Sequence, residues 1–207
     1  MSKVKMMSKV KICGLSRMAD IEAVNYSMPD YIGFVFAPSR RRIDPQTAAA
    51  LKAKLAPRIA TVGVFVNESV ATVSSLCKNG LLDVVQLHGD EDAEYIRRLK
   101  EDCGCRVIKS IGVGDELPPL VIEADYLLFD TLSAQRGGAG RAFNWNLLQG
   151  YEGPPYFLSG GLTPDRVCEA LNLLAPYCVD VSSGVETNGV KDVGKIDQFI
   201  RSVREIK

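Results

Sequence analysis

Eight short runs of apolar, mostly β-branched or aromatic residues recur along the chain: Val10–Cys13, Tyr31–Phe36, Ala60–Val66, Val84–His88, Val107–Ile111, Tyr126–Thr131, Tyr156–Ser159 and Val179–Ser182. Most are apolar at successive positions rather than at alternate ones. That is the pattern of parallel strands covered on both faces. Between them the apolar spacing turns helical. Asp44–Pro45 opens one such segment, an Asp cap followed by a Pro suited to the first turn. Thr163–Pro164–Asp165 opens another, and the stretches 68–79, 91–101 and 191–205 share the pattern, with Asn79–Gly80 as a C-terminal stop. After the sixth run, Gly137, Gly138 and Gly140 make a long loop ahead of a short helix near Trp145. Eight alternating β and α units predict a single-domain (β/α)8 TIM barrel. An open doubly wound sheet would call for G-x-G-x-x-G after the first strand, and "KICGLSRMAD" lacks it.

The segment "MSKVK" at residues 1–5 returns at 7–11, a repeat too short for a solenoid. The fold is therefore expected to begin near Ser8, with residues 1–8 as a disordered N-terminal extension and 9–207 as the catalytic barrel. Composition narrows the partners. The 207 residues carry 25 Lys plus Arg against 25 Asp plus Glu, a balance that argues against a nucleic-acid surface. No apolar run reaches the length of a membrane span, and no signal-peptide core opens the chain. The six cysteines lack C-x-x-C spacing, and the single His88 completes no zinc set. These features suit a reduced, cytoplasmic protein with free thiols.

A barrel builds its chemistry at the C-terminal ends of its strands. Cys13 ends strand one and Asp130 ends strand six, in "YLLFDT". A thiolate and a protonated carboxyl facing one substrate are a base and an acid for proton transfer. Each residue alone also fits a blander role, Cys13 as a small core residue and Asp130 as a loop-fixing carboxylate. "FLSGGLTPDRV" and "VDVSSGVETNGV", after strands seven and eight, lie where barrels hold phosphate. Their backbone amides around Gly160, Gly161, Ser183 and Gly184 are the candidate donors. In "APSRRRIDP", one of Arg40, Arg41 and Arg42 can grip a carboxylate through its planar fork. Gln86 and His88, in "VQLHGDE", are further candidate substrate contacts. Lys109 would form a Schiff base if buried among the reactants, or else points outward and pairs.

Taken together, "KICGLS", "GFVF", "VGVFVN", "VQLHGDE", "LLFDT", "GGAGRAFNW", "LSGGL" and "VDVSSGVE" resemble the phosphoribosylanthranilate isomerases of tryptophan biosynthesis, in order and spacing from Lys9 to about Phe199. The resemblance implies an Amadori rearrangement of a phosphorylated aminosugar, with Cys13 as general base, Asp130 as general acid and no cofactor or metal. It assigns the substrate carboxylate to Arg41, with Arg40 and Arg42 still open in "SRRRI". It makes the segment 136–143 a candidate lid and leaves the chain a monomer or homodimer. A histidine-pathway isomerase, which by resemblance carries an aspartate at the end of strand one, is disfavoured by Cys13. A non-catalytic phosphate-binding barrel would need neither Cys13 nor Asp130.

Overall fold

The computed structural model describes residues 7–120, 123–132 and 142–206. Eight parallel strands close into a barrel in chain order: β1 (Lys9–Cys13), β2 (Tyr31–Val35), β3 (Ala60–Phe65), β4 (Val84–Leu87), β5 (Arg106–Val113), β6 (Tyr126–Thr131), β7 (Tyr156–Leu158) and β8 (Cys178–Val181). β8 returns to β1 with Lys11 beside Asp180. The sequence-predicted (β/α)8 barrel is the fold, and each expected strand lies within a few residues of an observed one.

Strand residues alternate between two environments. Tyr31, Val62, Val84, Ile108, Leu128, Phe157 and Cys178 form a cluster of their own, the packed floor inside the barrel. Their neighbours one residue along, such as Val10, Ile12, Ile32, Val85, Val107 and Leu127, join the larger core between strands and helices. Both faces are therefore apolar, which is why the strands read as continuous apolar runs. The parity that sends Leu128 inward also sends Asp130 inward, and on β8 it carries Asp180 inward with Cys178.

Six α-helices lie among the described residues: α1 (Met18–Ser27), α2 (Pro45–Lys52), α3 (Val70–Lys78), α4 (Ala93–Cys103), α5 (Val167–Leu173) and α6 (Val193–Arg204). Side-chain caps set four starts: Asp44 accepts from the Thr47 amide, Ser69 from Thr72, Asp92 from Tyr95 and Asp192 from Lys195. Among the described residues not every β–α unit carries an α-helix, and the short helix expected near Trp145 is a 3-10 turn. The described part of the β5–β6 interval contains Leu117–Pro118–Pro119–Leu120 and no helix, since adjacent prolines remove amide donors and disfavour helical geometry at the preceding residue. After β6 there is a 3-10 turn at Trp145–Leu148. The helix expected from Thr163 starts only at Val167. The Thr163 carbonyl first accepts from both Arg166 and Val167 amides, at 3.1 and 3.0 Å, in a turn.

Ser8 donates its hydroxyl to the Pro176 carbonyl at 2.7 Å, and the Lys9 amide bonds to Tyr177. Residues 1–6 of the expected extension lie outside the described residues, as do residues 136–141 of the expected lid. No helix among the described residues is long and apolar enough to cross a membrane.

Candidate active site

Cys13 is the last residue of β1, and its thiol is buried. Two glycines make room around it. Gly14 turns the chain at φ +80°, and a Cβ there would stand 2.4 Å from the Arg41 Cδ. Gly33, its partner across the β1–β2 ladder, has no side chain to strike the sulfur, which a Cβ would approach to 2.7 Å. Arg41 thus packs over the glycine that directly follows Cys13, while the thiol itself packs against Gly33. The Ser182 hydroxyl donates to the Cys13 carbonyl at 3.0 Å and ties the ends of β1 and β8 together.

Beneath the thiol lies a buried ion pair. The Lys11 ammonium reaches both Asp180 oxygens at 3.0 Å, and Lys11 has no exposure at all. Burial opposes its charge, but Asp180 and the neighbouring Cys13 outweigh it and hold the ammonium above the ordinary lysine range. For Cys13 the balance runs the other way. Burial pushes the thiol up, while the Lys11 and Lys191 cations oppose that rise and favour the thiolate. Lys191 donates to the Ser182 carbonyl at 2.8 Å and to Glu186 at 2.8 Å.

Asp130, on β6, has a side chain only 16% exposed. Burial raises its carboxyl to about 6, against the Thr131 amide that donates to Oδ1 at 2.8 Å. Asp180 adds to the rise and Lys11 opposes it. Cys13 and Asp130 therefore feel the same buried Lys11–Asp180 pair. Gly160, at φ +83°, passes so close that a Cβ would meet the Thr131 hydroxyl at 2.5 Å and Asp130 Oδ1 at 3.0 Å. His88 Nε2 stands 3.8 Å from Asp130 Oδ2, an ion-pair distance rather than a hydrogen bond. Its Nδ1 is 3.1 Å from Gln86 Nε2, and Gln86 Oε1 is buried without a hydrogen-bond partner. Gln86, His88 and Asp130 thus form a chain across the mouth.

The three arginines after β2 separate by burial. Arg41, 18% exposed in its side chain, places Nε and Nη2 on Glu186 at 2.7 and 3.0 Å. Arg40, 57% exposed, reaches the same carboxylate at 2.6 Å, and Arg42 is exposed. Burial would raise the Glu186 carboxyl, but Arg41 and Lys191 hold it below the usual range. Glu186 belongs to a small hairpin, β9 (Glu186–Thr187) and β10 (Val190–Lys191), turned by Asn188–Gly189. Ser183 and Gly184 lie in the 3-10 turn just before it. A Cβ on Gly184 would stand 1.9 Å from the Leu162 carbonyl oxygen, so the loops after β7 and β8 touch there. The Arg166 guanidinium stacks over Trp145 at 5.2 Å and donates to the Gly161 carbonyl.

Lys109 faces outward. It donates to Glu91 at 2.8 Å and to the Gly89 carbonyl at 2.7 Å. Glu91 also accepts the amides of Asn67 and Gly89, at 2.7 and 2.9 Å. That network fixes the loops after β3 and β4 and holds Lys109 away from the barrel interior. Lys11, Asp180, Lys191 and Glu186 were not singled out by sequence reasoning. The signals were a charge inside each of two apolar strands, "KVKIC" and "CVDV", and the hairpin dipeptide Asn188–Gly189.

The chain is matched over residues 10–202 by the family described as N-(5′phosphoribosyl)anthranilate (PRA) isomerase. It is 47% identical over 201 residues to an N-(5′-phosphoribosyl)anthranilate isomerase of Endomicrobium trichonymphae, covering 97% of this chain and all of that protein. A crystal structure of phosphoribosyl anthranilate isomerase from Thermotoga maritima superposes with a TM-score of 0.84 at 36% identity, over 96% of this chain and 99% of that one. A second crystal structure of the enzyme, in complex with reduced 1-(O-carboxyphenylamino)-1-deoxyribulose 5-phosphate, gives a TM-score of 0.80 at 35% identity, over 96% and 99%.

Proposed function

The chain belongs to the N-(5′-phosphoribosyl)anthranilate isomerase family, an enzyme family of tryptophan biosynthesis, and we propose that Cys13 is its general base and Asp130 its general acid. The reaction turns N-(5-phosphoribosyl)anthranilate into 1-(2-carboxyphenylamino)-1-deoxyribulose 5-phosphate. Asp130 gives its proton to the ribose ring oxygen as the C1′–O bond breaks, and the anilino nitrogen lone pair forms an iminium. Cys13 then removes the C2′ proton. The electrons of that C–H bond make the enolamine, which tautomerises to the ketone. The iminium is the electron sink for this step.

The observation that carries the reading is the burial of Asp130. A carboxyl raised to about 6 keeps a protonated fraction near neutrality that an ordinary aspartate, at about 3.9, does not. Cys13 sits above Lys11 and beside Lys191, cations that favour the thiolate the base step needs. Arg41 is the carboxylate-binding arginine, since of the three it is the one packed over Gly14, beside Cys13. Glu186 holds the edge of its fork and so orients the guanidinium. Backbone donors around Gly160, Gly161, Ser183 and Gly184 take the phosphate, with Gln86 and His88 on the sugar. Fixing both ends of the substrate sets C2′ and the ring oxygen between base and acid, a positioning effect worth several kcal/mol.

Binding and turnover test the assignment separately. Asp130→Asn should hold the reduced product analogue with a Kd within about threefold of wild type, while kcat falls about 10²–10⁴-fold, the usual worth of a positioned acid. Equal losses in binding and kcat would return Asp130 to a structural role.

A further inference from the structure

Three thiols meet at the end of the barrel opposite the active site. Cys77 lies in the last turn of α3, Cys103 is the last residue of α4, and Cys105 directly precedes β5. Their sulfurs all lie within 4.8 Å of one another. Cys103 Sγ is 3.2 Å from Cys105 Sγ and 3.2 Å from the Leu99 carbonyl oxygen. Gly104, at φ +64°, closes α4 in the left-handed conformation and so turns the two flanking cysteines toward each other. None of the three serves the chemistry at the strand C-termini.

We propose that Cys77, Cys103 and Cys105 form a binding site for a thiophilic d10 cation of the Zn2+ class, held by three thiolates with a fourth position open to solvent or an external thiol. Three points support this. Thiolates select such ions over hard cations. The metal–sulfur distance of about 2.3 Å puts tetrahedral sulfur ligands about 3.8 Å apart, within reach of the observed cluster by side-chain adjustment alone. All three thiols are half-buried against the core, and their protons must leave for a cation to bind. On binding, three S–H bonds ionise, three protons leave to water and three S–metal bonds form, with no change of oxidation state. The ion would join α3, α4 and the start of β5, beside the Lys78–Asp102 surface pair that already links the two helices.

The test uses the full chain, reduced with a non-thiol reductant and kept free of oxygen. Titration with Co2+ should give a near-ultraviolet thiolate-to-cobalt band that saturates at one ion per chain and is displaced by Zn2+. Cys77→Ser, Cys103→Ser and Cys105→Ser should each weaken Co2+ binding by more than about tenfold, whereas Cys168→Ser should leave the band intact. Isomerase turnover of the three serine variants should match wild type. Should any of them misfold, alkylation of the wild-type chain decides: Zn2+ should slow modification of Cys77, Cys103 and Cys105 together and leave Cys168 unaffected. The proposal is overturned by the absence of a saturable band, by a band that survives in all three variants, or by a mass two hydrogens lower with no metal bound, the mark of a Cys103–Cys105 disulfide.

Discussion

Lys11→Met removes one partner of the buried pair beneath Cys13 and strands the other. Lys11 has no exposed side-chain surface and Asp180 only 6%, so the orphaned carboxylate has little water to turn to. Breaking such a pair costs about 3–5 kcal/mol. For a chain of this length each kcal/mol lowers Tm by about 2–4 °C, so thermal unfolding at pH 7.5 should fall by about 6–20 °C. The double variant Lys11→Met/Asp180→Leu replaces the pair with apolar groups and should recover Tm to within a few degrees. Activity should not follow stability. Lys11 favours the Cys13 thiolate more than Asp180 disfavours it, so the thiol rises in both variants. Each unit of that rise costs about tenfold in thiolate at fixed pH, and kcat/KM should stay below wild type even where Tm has recovered. Circular dichroism and steady-state turnover on the three proteins separate the effects. A double variant with wild-type kcat/KM would refute the electrostatic role of Lys11, and a single variant that melts with wild type would refute the cost assigned to the pair.

The pH dependence follows from proton counting. The working form, Asp130 protonated with Cys13 ionised, carries as many protons as its tautomer with Asp130 ionised and Cys13 neutral, so both populations follow one curve. The kcat/KM profile should rise with an apparent pKa of about 6, level off, and fall only above the ordinary thiol range of about 8.5. A steady decline from pH 6 upward would contradict it. Asp130→Asn should also stabilise the fold. A carboxyl raised from 3.8 to about 6 contributes stability fully present below the unfolded value and lost as pH rises through the folded one. The variant should therefore gain on the order of 2–3 kcal/mol at pH 7–8 and nothing below about pH 4, measured by denaturant midpoints at both pH values. Arg41→Ala should raise KM by about tenfold or more with kcat changed less; steady-state curves in which Arg40→Ala does this instead would move the carboxylate contact to Arg40. Gly160→Ala, forced against Thr131 and Asp130 at a positive φ, should lose kcat with KM less affected, and wild-type turnover would contradict the crowding.

The barrel was legible because its strands are buried on both faces. "YLLFDT" reads as an apolar run to its last two residues, and β6 occupies those same six positions. α1 was less visible. It begins at Met18 without a Ser, Thr, Asn or Asp at its cap, and the Asp20 carboxylate instead accepts the Ser16 and Arg17 amides from inside the helix. Cys13 and Asp130 stood out because reactive side chains ended apolar strands. The Lys11–Asp180 pair did not, since its members are 169 positions apart and meet only when β8 closes on β1. The choice among Arg40, Arg41 and Arg42 was equally closed to sequence. It depends on which side chain folds over Gly14, a contact between two strand-end loops.

The central claim is that the thiol ending β1 removes a proton. Its most direct test is turnover of freshly prepared N-(5-phosphoribosyl)anthranilate, followed by the loss of anthranilate fluorescence, for wild type and Cys13→Ala side by side with a chelator present. The account predicts full wild-type turnover under chelation and a fall in kcat of about 10²-fold or more in the variant. A Cys13→Ala enzyme within about tenfold of wild type would contradict it and leave the thiol as packing.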